Sequence, residues 1–192
     1  MKAYSQYNLI EEELFRLESE KEAKSLFSKL SDLVLSKLFE WCEFNIKVPN
    51  YLYLRAKILC EDVELLSGYE FQVHELIYLL YRMFLHKMIQ QDDPFYIYQV
   101  INVRSLDKPK VKKVGQLMDI GDNDKLKSDK VKSVNVRIKR NYVLRGEVIL
   151  RDLENIVPNH NLTIEKILET IFIDFIKEYQ SGSFKNAMNV LI

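Results

Sequence analysis

"SVNVRIKRNYVLRGEVIL", residues 133 to 150, decides how the second half of the chain is read. In its first half Val134, Val136 and Ile138 alternate with Asn135, Arg137 and Lys139. A period of two gives a strand one apolar face and one polar, cationic face. From Tyr142 onward the stretch is rich in Val, Leu and Ile, which suits a second strand. The whole therefore reads as a basic β-hairpin turning near Arg140 and Asn141, with Arg145 and Gly146 as the second, less favoured turn.

Upstream, "GDNDKLKSD" (residues 121 to 129) is turn-forming, because Gly, Asn and Asp tolerate the backbone conformations a turn needs. Counted as a calcium loop from Asp122, it places Asp124 correctly at the third position. Leu126 then falls at the fifth position, where an oxygen ligand belongs, and Lys127 at the sixth, where Gly belongs. No metal site is expected there. "FYIYQVINVR" (95 to 104) favours a strand through its aromatic and β-branched residues, and "KVKKVGQLMDI" (110 to 120) is a candidate for another. The expected sheet is small, antiparallel and confined to about residues 95 to 151.

The flanks are helical by pattern. Residues from about Tyr7 to Ile46 contain no Pro or Gly, and Phe27, Leu30, Val34, Leu38 and Trp41 recur at spacings of three and four. Leu9, Ile10, Leu14 and Leu17 form a separate stripe that would pack on the domain or on a partner. "YLYLRAKILCEDVELLSG" is the next helix, closed by Ser67 and Gly68. A third begins near Glu70 and carries Val73, Leu76, Ile77, Leu80, Tyr81, Phe84, Leu85 and Met88, broad enough for a central helix. The last opens at Thr163, with Ile164, Ile167, Leu168, Ile171, Phe172, Phe175, Ile176 and Tyr179 on one face. Phe184, Met188 and Leu191 beyond it are candidates for contact with a partner. Apart from Asn-Val-Arg at 102 to 104 and again at 135 to 137, no internal repeat is apparent.

These elements imply an α+β protein: an N-terminal helical bundle, a small antiparallel sheet with a basic hairpin, and a C-terminal amphipathic helix. Residues 1 to 92 form the helical region and 93 to 192 the α+β region, together expected to be one cooperative domain. A composition of 47% apolar and 29% charged residues belongs to a globular chain rather than a disordered one. The two cysteines, Cys42 and Cys60, stand in no metal-type or redox-type spacing, which suits a reduced, cytoplasmic location. An early acidic run where a signal peptide would need its apolar stretch, and no run of spanning length, predict no membrane association.

The formal net charge is zero, but residues 104 to 151 carry 14 Lys+Arg against 6 Asp+Glu while both flanks are acidic. Such a basic island favours an anionic partner. Lys112, Lys113, Lys130, Lys132, Arg137, Lys139, Arg140 and Arg145 are its candidate nucleic-acid contacts, since phosphates need clustered cations and a β-ribbon fits a major groove. Catalytic patterns are absent: there is no nucleophile elbow, phosphate-binding Gly loop, dinucleotide fingerprint or His-Glu-x-x-His. His74, His86 and His160 lie singly. No cofactor is implied. The sequence thus favours a non-catalytic module that binds another protein or itself, with nucleic-acid binding through the hairpin around residues 130 to 145 as the alternative.

Overall fold

In "WCEFNIKVP" Cys42, Phe44, Ile46 and Val48 alternate with Trp41, Glu43, Asn45 and Lys47, and Pro49 closes the run. This alternation wins over the helical spacing that reaches Trp41 from upstream, and residues 41 to 49 are a strand. The computed structural model describes residues 2–20, 40–90 and 130–180. Their elements in order are α1 (Leu9–Glu20), β1 (Trp41–Pro49), α2 (Asn50–Ser67), α3 (Val73–Gln90), β2 (Val131–Lys139), α4 (Arg140–Glu154) and α5 (Ile164–Gln180).

The α+β class expected from the sequence holds, with a small antiparallel sheet and a C-terminal amphipathic helix. The partner of the basic strand is corrected. β2 pairs with β1, far away in sequence, and "YVLRGEVIL" belongs to helix α4. The reason lies in burial: Val143, Gly146, Glu147, Leu150 and Leu153 share one helix face and are all enclosed, whereas a strand would have turned every second residue outward. The strands proposed at 95 to 104 and 110 to 120 lie outside the described residues, as does the 121 to 129 turn.

The antiparallel register sets Asn45 opposite Asn135, and every other pair falls symmetrically about that point, from Trp41 opposite Lys139 to Pro49 opposite Val131. Each strand runs directly into a helix. Asn50 donates its backbone N–H to the Lys130 carbonyl at 2.9 Å, and Arg140 donates its own to the Glu40 carbonyl at 2.8 Å, so each helix start is tied to the entry of the other strand. The second helices cross over in the same way: α3 packs along β2 and α5 along β1.

The chain is therefore two strand–helix–helix units related by a pseudo-twofold axis through the Asn45–Asn135 pair. Val73, Leu76, Ile77, Tyr81 and Leu85 of α3 have as mates Ile164, Ile167, Leu168, Phe172 and Ile176 of α5 at one constant offset, and all are buried. "NYLYLRAKILCEDVE" of α2 matches "RNYVLRGEVILRDLE" of α4 residue for residue, at the same offset that relates the two strands. On that alignment Ala56, Cys60 and Val63 correspond to Gly146, Leu150 and Leu153, again all buried. The expectation of no internal repeat is thus corrected: what repeats is burial, while most side-chain identities differ.

The strands' inner faces supply Cys42, Phe44, Ile46, Val134, Val136 and Ile138 to a single core shared by both units. Symmetry breaks at the N-terminus. Residues 2 to 8 thread past α5, where Ile164 N–H bonds the Tyr4 carbonyl at 2.8 Å, and α1 then lies on α4. Arg140 holds α1 through Glu12 at 3.0 Å and Glu13 at 2.9 Å. Burial alone would raise Glu13, but hydrogen bonds and charge from Arg140 and Arg16 hold it below the usual carboxylate value.

Candidate nucleic-acid interface

The alternation that buries one side of the ribbon fixes what the other side displays. Trp41, Glu43, Asn45 and Lys47 of β1 and Ser133, Asn135, Arg137 and Lys139 of β2 point outward. In this register they stand as rungs: Trp41 with Lys139, Glu43 with Arg137, Asn45 with Asn135, and Lys47 with Ser133. Paired side chains in an antiparallel ribbon leave on the same face, so these eight form one continuous surface. Nine residues per strand give it a length of about 30 Å.

Three cations, Lys47, Arg137 and Lys139, share this face with one carboxylate, Glu43. Arg137 reaches Glu43 at 3.5 Å and lies over the Trp41 ring at 5.6 Å from its centroid. Lys139 approaches the same ring at 5.5 Å and Glu40 at 3.9 Å. These ion pairs are exposed, so water and salt weaken them and a phosphate can compete for the cations. Lys130 and Lys132 lie at the opposite end, with Lys132 over Tyr53.

The outer edge of β1 is closed by other parts of the chain. The Tyr7 hydroxyl accepts from Glu43 N–H at 2.7 Å and returns a bond to the Glu43 carbonyl at 2.9 Å, and Lys47 N–H donates to Glu169 at 2.9 Å. Occupying these backbone groups blunts β1 as a template for further pairing, while the ribbon's face stays open.

Of the cations singled out in the sequence, the structure brings Arg137 and Lys139 together on the outer face; Lys132, opposite the buried Val48, leaves on the inner side and lies over Tyr53, and Lys130 precedes the strand. Arg140 is elsewhere, only 17% exposed and committed to Glu12 and Glu13. Arg145 lies on α4, in a cleft of about 310 Å³ shared with Arg82, His86 and Tyr142. Lys112, Lys113, Phe184, Met188 and Leu191 lie outside the described residues. Sequence reasoning missed Trp41, Glu43, Asn45, Lys47 and the role of Asn135, although the two-residue period from Cys42 to Val48 was there to find β1.

The remaining reactive groups have structural roles. His160 stacks on Tyr4, accepts at Nδ1 from Leu162 N–H at 3.2 Å and faces the Leu150 carbonyl through Nε2 at 2.8 Å. Burial pushes the Cys42 thiol up to about 11 and the Cys60 thiol to about 12, which keeps both un-ionised and poor nucleophiles at neutral pH. A cleft of about 270 Å³ beside the ribbon is lined by Trp41, His74, Glu75, Tyr78 and Arg137. Among the described residues it offers a single carboxylate and no Ser or Cys nucleophile. Among the described residues no group of three or more His, Cys, Asp or Glu side chains could hold a metal ion, and no helix is long and apolar enough to cross a membrane. Compared with protein-family models, curated proteins and solved structures, the chain has no match.

Proposed function

We propose that the protein binds duplex DNA by laying the outer face of the β1–β2 ribbon into the major groove. The observation that carries this reading is the two-stranded antiparallel ribbon itself, with a polar, cation-rich face turned to solvent and a pseudo-twofold axis at its centre. A major groove about 12 Å wide admits such a ribbon, and Asn, Arg and Lys are the side chains that pair with adenine and guanine edges there. The deep, narrow major groove of duplex RNA would exclude it. Reduced, buried thiols fit an intracellular target. The reading is one of binding rather than catalysis.

Fluorescence anisotropy with a mixed-sequence duplex tests it. Binding should weaken steeply as salt rises, because phosphate contacts release counterions. Replacing Lys47, Arg137 and Lys139 together by Ala should cost on the order of tenfold in affinity and flatten the salt slope. Arg145→Ala, off the ribbon, should change little. No binding at low salt sinks the proposal.

One observation favours the protein-interaction reading alongside it. Tyr51, Leu54, Ile58 and Leu65 make an exposed stripe at helical spacing on α2, and on α4 an adjacent side, through Arg140 and Glu147, carries α1. An amphipathic helix of a partner would fit this stripe as α1 fits α4. Leu54→Asp with Ile58→Asp should then abolish a protein complex without altering DNA affinity. A complex that persists counts against this surface.

A further inference from the structure

We infer that a single chain reads a directional DNA site, one with a self-complementary centre and two unequal arms. The inference rests on the duplex-binding reading above and concerns what the pseudo-twofold axis does to recognition. A ribbon made from two identical strands would present the same side chains to both arms of its site, and the site would be a palindrome. Here both strands come from one chain, and their outward residues are mates by position without being equal. Only the axial pair, Asn45 and Asn135, is the same residue on both sides.

Away from the axis the mates diverge. Glu43 of β1 corresponds to Ser133 of β2, Lys47 to Arg137, and Trp41 to Val131. Because the strands run in opposite directions, these differences gather at opposite ends of the face. One end carries Trp41, Glu43, Arg137 and Lys139, linked by an ion pair and two cation–ring contacts. The other carries Lys47, Ser133, Pro49 and Val131.

The chemistry at the two ends is different. A carboxylate accepts from the cytosine amino group, and a guanidinium donates two bonds to guanine. A serine hydroxyl donates or accepts with less selectivity, and a lysine offers a point charge without the planar fork. The paired Asn side chains suit adenine on each strand at the centre, where the axis makes the two readings equivalent. A base-pair change in one arm is therefore not equivalent to the same change in the other.

The test is selection of sites from a random duplex pool by the full chain, followed by mass measurement of the complex. The expected result is a motif with a symmetric centre and unlike arms, bound by one chain per duplex. The unlike-armed site should bind on the order of tenfold more tightly than either derivative in which one arm is copied onto both sides. The variant Glu43→Ser with Lys47→Arg leaves one Ser and one Arg at each end of the face, so its preference for the unlike-armed site over the two copied-arm derivatives should be lost. A palindromic motif, two chains per duplex, or an unchanged preference in the double variant overturns the inference while leaving duplex binding intact. Salt-dependent binding without any sequence preference also overturns it alone. Failure to bind at low salt removes both.

Discussion

Gly146→Ala is expected to lower the thermal midpoint by roughly 4–8 °C, and adding Tyr81→Phe in the same chain should restore most of the loss. A mid-helix Gly→Ala ordinarily stabilises by about 1 kcal/mol. At Gly146 the new Cβ would lie 2.1 Å from the Tyr81 hydroxyl oxygen and 2.7 Å from Ile164 Cδ1. The isoleucine terminus can rotate aside. The tyrosine cannot do so easily: its side chain is fully buried and its hydroxyl donates to the Tyr142 carbonyl at 3.2 Å. Moving it costs about 3 kcal/mol, more than the helix gains.

The axis supplies the remedy, because the mates of Tyr81 and Gly146 are Phe172 and Ala56, both fully buried. Where the ring lacks its hydroxyl, the facing helix carries a methyl; where the hydroxyl is present, the methyl is missing. A double-mutant cycle should therefore show a coupling of about 2 kcal/mol of compensating sign. Additive effects, or a stable Gly146→Ala single variant, would disprove the complementarity.

Glu147→Ala should cost about 3 kcal/mol and release the N-terminal segment from the body. Glu147 is fully buried. One oxygen accepts from the Ser5 hydroxyl at 2.5 Å and the other from Ile10 N–H at 3.0 Å, at the start of α1, where the helix leaves backbone donors free. Removing the carboxylate strands both donors in the interior. Glu147→Gln should recover only part of the loss, since its amide nitrogen meets a donor where an acceptor is required. The mate of Glu147 is Lys57 on α2, exposed and paired with Glu61 at 3.5 Å. A position that is an ordinary surface site in one unit has thus become an anchor in the other. Hydrogen exchange decides the matter: the Ile10 amide should lose protection in Glu147→Ala, and unchanged protection would show that α1 is held by other contacts.

Much of this fold is legible in the sequence wherever one physical signal acts alone. The stripe on α5 predicts the buried Ile164, Ile167, Leu168, Phe172 and Ile176, and the alternation in β2 predicts the buried Val134, Val136 and Ile138. Gly68 ends α2 in the left-handed conformation that glycine tolerates, donating its N–H to the Glu64 carbonyl at 2.8 Å. Reading fails where signals compete. Val143 to Leu150 has strand-forming residues and a glycine, yet one helical face of it is packed, and tertiary burial overrides local propensity. Trp41 continues a helical spacing from upstream while also starting a strand.

The candidate face was half legible for the same reason. Arg137 and Lys139 could be assigned outward from β2 alone, but Asn45 and Lys47 join them only once β1 is recognised and the register known. Arg140 follows Lys139 in sequence and belongs to the same basic cluster, yet the turn from strand to helix carries it to α1 and its two glutamates. The repeat escaped notice because Tyr81 against Phe172, or Cys60 against Leu150, preserves volume and enclosure without preserving identity.

Placing both strands on one polypeptide also changes how the protein responds to dilution. A ribbon shared between separate molecules exists only above their dissociation constant, and its abundance rises with the square of subunit concentration when that concentration is low. Here each strand meets its mate within one chain, at a local concentration that does not depend on how many copies are present. The cost of closing such a long loop grows only slowly with its length, by about 0.6 kcal/mol per doubling. The folded surface should consequently persist when few copies are present, and occupancy of a target should follow protein concentration with simple, first-order saturation.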